Sequence, residues 1–136
     1  MTAVSKWGAY VLAAFMAFMG IQKFIGDVPI FIIIEDNLAA DWGLTLPFID
    51  PMLKYATGLG ELAATVILVA GLRLIGGGLS LALIGGAILA HLTVLGVYTP
   101  MSSAPDAEKS PMLFIMALVF FALSAAVTYG AFKARR

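Results

Sequence analysis

Long apolar runs alternate with short polar breaks along this chain. Four runs are long enough to cross a hydrocarbon core of roughly 30 Å at about 1.5 Å per residue. They extend from about Trp7 to Ile25, Met52 to Leu72, Leu74 to Thr99 and Pro111 to Phe132. Each predicts a membrane-spanning helix. Pro51 and Pro111 stand at helix starts, where a missing N–H has no intrahelical partner to lose, and Pro100 is expected to end the third helix. The connection from Gly26 to Asp50 is too long for structureless chain in so small a protein. Its apolar stretch Val28 to Ile34, followed by Glu35, Asp36, Asn37 and Asp41, predicts a short interfacial helix anchored by Trp42, with a strand-like cap as the alternative. The Pro/Ser/Asp-rich segment from Thr99 to Ser110 reads as a mobile loop.

The charges divide the chain ends into two sets. With four alternating spans, Lys6, Arg73 and the Lys133, Arg135 and Arg136 tail share one side. The other side carries Asp27, Glu35, Asp36, Asp41, Asp50, Asp106 and Glu108 against Lys54 and Lys109. Cations mark the cytoplasmic side, so the expectation is a multi-pass inner-membrane protein with both termini cytoplasmic. After Lys6 and the apolar Gly8 to Ile21, no small-x-small cleavage site follows, so the first run reads as a retained helix. Of 136 residues, 62% are apolar and 12% charged, which fits one integral membrane domain over residues 1–136. The expected fold is all-α, a membrane four-helix bundle with a short interfacial helix between helices one and two. A formal net charge of zero offers no basic face for nucleic acid. The absence of cysteine removes disulfides, thiolate nucleophiles and cysteine-ligated iron–sulfur clusters.

Helices in lipid associate through small residues. Gly78, Ala82, Gly86 and Ala90 repeat every four residues in the third run, and Ala56, Gly60 and Ala64 do so in the second. These two ladders are expected to face each other across the turn at Arg73. Phe114, Phe120, Phe121 and Phe132 of the fourth run are expected to face lipid or a partner.

Three ionisable residues interrupt the apolar runs. Glu61 lies about ten residues into the second span, and an ionisable group at that depth costs about 2.5–3.5 kcal/mol on insertion scales, so it needs a partner or a purpose. Lys23 lies near the outer end of the first span and His91 about eight residues below the outer end of the third. All three fall in the outer half. Thr57, Glu61 and Thr65 form a polar stripe at four-residue spacing, with Lys54 two turns before Glu61; His91 and Tyr98 are seven apart, and Gln22 adds an amide beside Lys23. Each has a plain reading beside a sharper one. Lys23 snorkels to the headgroups with Asp27 one turn away, or it turns inward. Glu61 is a structural ion-pair partner or a functional acid. His91 is a packed histidine or a ligand, and Tyr98 is an interface aromatic or a pocket residue. In the sharper reading Lys23, Glu61, His91, Gln22, Thr57, Thr65 and Tyr98 contribute to a polar pocket that binds a headgroup or a quinone ring.

Other chemistries are excluded by residue type. One histidine is too few for bis-histidine haem ligation within the chain, and no His/Cys spacing supplies a zinc site. Gly76-Gly77-Gly78 lacks the lysine of a phosphate loop, and no serine stands in a nucleophile elbow. The residues assign no catalytic role, no metal and no intrinsic cofactor, and they leave open whether the protein is an enzyme.

Several short motifs resemble the DoxX-like family of small four-helix membrane proteins. Gly20-Ile21-Gln22-Lys23-Phe24 is similar to the family's glycine-x-x-lysine at the end of helix one, and Asp41-Trp42-Gly43-Leu44-Thr45-Leu46-Pro47 to its glycine-leucine-proline link, with Thr45 inserted. Gly58-Leu59-Gly60-Glu61-Leu62 and Leu68-Val69-Ala70-Gly71-Leu72-Arg73 are similar to its helix-two glutamate and terminal arginine, and His91 falls where a helix-three histidine is often seen. The resemblance covers roughly residues 7 to 130. The family takes its name from a subunit associated with a thiosulfate:quinone oxidoreductase, and relatives are linked to redox complexes and membrane-protein assembly. The resemblance therefore implies a quinone-linked or accessory role without choosing between them; the small size and the lack of redox ligands favour a small accessory subunit of a larger inner-membrane complex, respiratory or redox, in contact with membrane lipids. The alternative is a stand-alone quinone-linked oxidoreductase component using the polar pocket. A transporter is disfavoured, since there are no inverted repeats and no pair of broken helices.

Overall fold

The computed structural model describes residues 3–135, so Arg136 of the basic tail lies outside the described residues. The chain is all-α in character, with helices α1 (Ala3–Ile25), α2 (Ile30–Trp42), α3 (Lys54–Val69), α4 (Arg73–Ala90) and α5 (Met112–Ala134). A wide helical turn, Ile49–Leu53, leads into α3, and another, His91–Leu95, prolongs α4. Two-residue strands β1 (Thr99–Pro100) and β2 (Lys109–Ser110) pair antiparallel, with Thr99 opposite Ser110. Four stretches, Ser5–Ile25, Ile49–Val69, Arg73–Leu95 and Met112–Ala134, are long and apolar enough to cross a membrane.

The connections differ from the sequence expectation in two ways. The third long helix ends at Leu95, before Pro100: Gly96 takes φ 82°, a conformation open to glycine and costly to other residues, and turns the chain away. The segment after it is tied down rather than a free loop. Besides the β1–β2 pairing, the Asp27 carboxylate accepts the Ser103 N–H at 2.7 Å and the Ser103 hydroxyl. Those two bonds, the hydroxyl foremost, hold the Asp27 carboxyl below its ordinary range. The segment expected at the interface is a helix through Trp42, as its pattern predicts, and it stops at Gly43 (φ 67°). Two of its polar side chains clamp it in place: Glu35 accepts the Asp50 N–H at 2.8 Å, and Asn37 donates to the Val94 carbonyl at 2.9 Å.

Among the long helices, α1 packs most extensively on α3 and α4 on α5, while α3–α4 and α1–α5 contacts complete the set. The core is formed by Leu12, Met16, Ala64, Leu68, Ile84 and Val127, all nearly inaccessible. Glycine decides how closely the helices approach. A Cβ on Gly20 would lie 3.0 Å from the Gly58 carbonyl oxygen, and one on Gly76 would lie 2.7 Å from the Leu68 side chain. The expected facing of two small-residue ladders is only partly realised. Gly60 meets Leu83 and Ala64 is buried, but Ala56 is exposed, and beside Gly78 and Gly86 there is open space. The α3–α4 contact instead uses Gly76, two positions off the ladder's register. Two phenylalanines expected on the outside also turn inward. Phe120 stacks on Phe15 with ring centroids 3.7 Å apart, and Phe114 tilts against His91, whereas Phe121 and Phe132 remain exposed.

Candidate functional site

Lys23 and Glu61 form a buried ion pair between α1 and α3. The Lys23 ammonium donates to both Glu61 carboxylate oxygens, at 2.8 and 2.9 Å, and lies 3.3 Å from the Met19 carbonyl. Lys23 is 4% exposed. The snorkelling reading is therefore overturned, and Asp27, its expected partner, is committed to Ser103 instead. Local sequence explains why the pair can form. Gly20 and Gly58 each precede the charge on their own helix by three residues, hence on the same face. Their missing side chains bring the two backbones close enough for a lysine stem to reach the opposing carboxylate. Thr65, one turn after Glu61, donates to the Glu61 carbonyl at 3.0 Å and lies 3.3 Å from the Ala13 carbonyl, which fastens the same helix–helix seam. Removing one member of such a pair strands a buried charge and costs far more than the intact pair contributes.

The pair borders a cavity of about 320 Å³. Phe15, Met16 and Met19 of α1 form one wall, and Leu113, Met116 and Ala117 of α5 another. Ala82, Gly86 and Ala90 line the α4 side, so the four-residue ladder of small residues borders a void instead of a helix seam. Ile30, Phe31 and Ile34 make α2 the cover of the loop end. The polar residues at the lining are Lys23, Glu61, Thr57 and His91. Thr57 donates its hydroxyl to the Leu53 carbonyl at 2.8 Å. His91 is 4% exposed, and its Nδ1 lies 2.9 Å from the Gly96 carbonyl oxygen. A carbonyl only accepts, so Nδ1 carries the proton. The wide turn that follows α4 and the left-handed Gly96 bring that carbonyl back over the ring.

Four of the seven residues expected at a pocket thus border one space: Lys23, Glu61, His91 and Thr57. Three do not. Gln22 is rotated by about 100° from Lys23 on α1 and misses the cavity. Thr65 supports the Glu61 turn from outside it. Tyr98 is 61% exposed, because the helix has ended before it and the seven-residue spacing from His91 no longer sets its direction. Sequence reasoning missed the cover formed by α2, whose docking depends on Glu35 and Asn37 meeting backbone groups far along the chain. It also missed the wall made by the Gly86 ladder, for which a signal existed but was read as a packing seam. Comparison with protein-family models, with curated proteins and with solved structures finds no match for this chain.

Proposed function

We propose that this chain is a membrane-embedded four-helix bundle of the inner membrane whose cavity receives a quinone-class ligand, and that it works as a small subunit of a larger redox complex. The observation that carries this reading is the cavity itself: about 320 Å³, walled by apolar side chains, with Lys23, Glu61, Thr57 and His91 gathered at its lining. Apolar pockets of this order with a few convergent polar groups suit ligands that have a ring and a greasy tail. Ionisable residues inside a membrane mark function when they border a cavity and are paired. With a single histidine and no cysteine, the chain has too few donors for a haem pair or an iron–sulfur cluster, so electrons would pass through the ligand and a partner subunit.

Two features support the membrane placement. Trp7, Tyr10 and Tyr129 are exposed at the end of the helix set where the termini lie, and Trp42, Tyr55 and Tyr98 at the loop end, so every Trp and Tyr of the chain sits where an interfacial belt would be. The cation-rich side, with Lys6, Arg73 and Lys133, supports cytoplasmic termini, with α2 then at the outer interface. Kinship with DoxX-like proteins belongs to the same proposal. It is supported by the meeting of two motifs that carry the resemblance, Gly20 to Phe24 and Gly58 to Leu62, at the Lys23–Glu61 pair.

The test is mass spectrometry of the tagged protein after gentle extraction from its own membranes, scored for retained quinone-class lipids and for protein partners. The expected result is a bound quinone-class molecule that is lost when Gly86→Leu fills the cavity, together with a partner at near-integer stoichiometry. A partner with no small molecule would leave only a structural subunit. Retention unchanged by Gly86→Leu would place the ligand elsewhere.

A further inference from the structure

The hydrogen-bonding capacity left at the cavity lining is one-sided. The Lys23 ammonium has three protons: two are directed to the Glu61 oxygens and a third faces the Met19 carbonyl, so no donor is left over. The Thr57 hydroxyl has given its proton to the Leu53 carbonyl, and His91 Nδ1 has given its own to the Gly96 carbonyl. Acceptors are what remain. Each Glu61 carboxylate oxygen takes one bond from Lys23 and keeps a lone pair, the Thr57 oxygen keeps its lone pairs, and in the tautomer with the proton on Nδ1 the second ring nitrogen of His91 is an acceptor.

We infer that the cavity selects ligands that donate hydrogen bonds, and that of the two redox forms of a quinone-class molecule it holds the hydroquinone in preference to the quinone. This rests on the quinone-class reading above and specifies its redox state. A hydroquinone brings an O–H at each end of its ring, and a hydroxyl offered to a carboxylate in an apolar site makes a short, charge-assisted bond. A quinone brings only carbonyl oxygens. To be satisfied, it would have to divert a Lys23 N–H from Glu61 or from the Met19 carbonyl. Otherwise its oxygens would sit against the acceptors of Glu61, Thr57 and His91, a mismatch that buried sites discriminate strongly.

The experiment uses the unaltered full chain in lipid nanodiscs under anaerobic conditions, titrated with a decyl-substituted benzohydroquinone and with the corresponding benzoquinone. A second pair, a 4-alkylphenol and its methyl ether, removes the donor without redox chemistry. The expected result is a Kd at least tenfold lower for the hydroquinone, with the phenol preferred over its ether. By linkage, tenfold tighter binding of the reduced form raises the two-electron potential of the bound couple by about 30 mV. Equal affinities, or tighter binding of the quinone, would overturn the donor selectivity while leaving the cavity as a quinone-class site. Binding of none of the four probes would overturn both.

Discussion

Toward the end of the helix set where the termini lie, glycine brings helices into contact. Gly76 accepts the Leu68 side chain, Gly77 accepts Thr128 of α5, and Leu12, Leu68, Val127, Ser80 and Ser124 are all but inaccessible around them. Toward the loop end, Gly86 on the same helix has nothing within 4 Å of its Cβ position, and with Ala82 and Ala90 it borders the cavity. One helix therefore uses the same residue type for opposite ends. A small residue makes close packing possible only where a partner backbone arrives to fill the space. At the loop end the aromatic and thioether walls of α1 and α5, and the cover of α2, hold the neighbours apart. The polar groups follow the same division. Ser80 and Ser124 in the packed half return their hydroxyls to carbonyls one turn back, at 2.8 Å each, and are satisfied within their own helices. Lys23 and Glu61, beside the cavity, are instead paired with each other across two helices, with the Met19 carbonyl as the third acceptor for the ammonium.

The largest expected effect comes from breaking the pair that separates the halves. Lys23→Met leaves the Glu61 carboxylate without its partner and should lower stability by about 3–5 kcal/mol. The double variant Lys23→Met/Glu61→Met should recover most of that, as read by helical signal against denaturant in detergent. If the single and double variants were equally stable, the pair would not be holding the α1–α3 seam. Next, Gly77→Ala in the packed half should cost about 1–3 kcal/mol by overpacking against Thr128. The same measurement on Gly86→Leu should give a change of no more than about 1 kcal/mol, since helix propensity favours leucine and the space is open. Equal losses at Gly77 and Gly86 would erase the contrast between the halves.

The smallest effect concerns the tether at the loop end. Because the Asp27 carboxyl titrates lower in the folded protein than its ordinary value of 3.8, the tether's contribution is present above that value. It is lost as pH falls below it, through the lowered folded-state value. Hydrogen exchange at the Ser103 amide should show protection at neutral pH that disappears on acidification over that window. Asp27→Asn should remove the pH dependence and leave the long helices unaffected.

Element by element, what could be read from the chain tracked how local the cause was. The four long helices and α2 follow from runs of apolar residues, which act through their own neighbours. Their ends were less legible. Pro100 is a strong stop signal, yet Gly96 ends the helix first because its left-handed turn lets His91 reach the Gly96 carbonyl. Lys23 and Glu61 were visible as expensive residues, but their pairing requires Gly20 to meet Gly58, thirty-eight positions apart in the chain, as Lys23 and Glu61 themselves are. The seven-residue spacing of His91 and Tyr98 misled for the converse reason, since a periodicity holds only while the helix continues.

By itself the sequence determined the all-α class, the number of helices long enough to cross a membrane, and the set of side chains that must find partners in an apolar medium. These are consequences of composition and periodicity, and they hold for any arrangement of the helices. Tertiary structure alone decided which small residues close a seam and which border a void, that α2 covers that void, and that the protons of Lys23, Thr57 and His91 are already committed. Each of these depends on what the opposite helix presents at the same depth, and no stretch of chain encodes its neighbour's position.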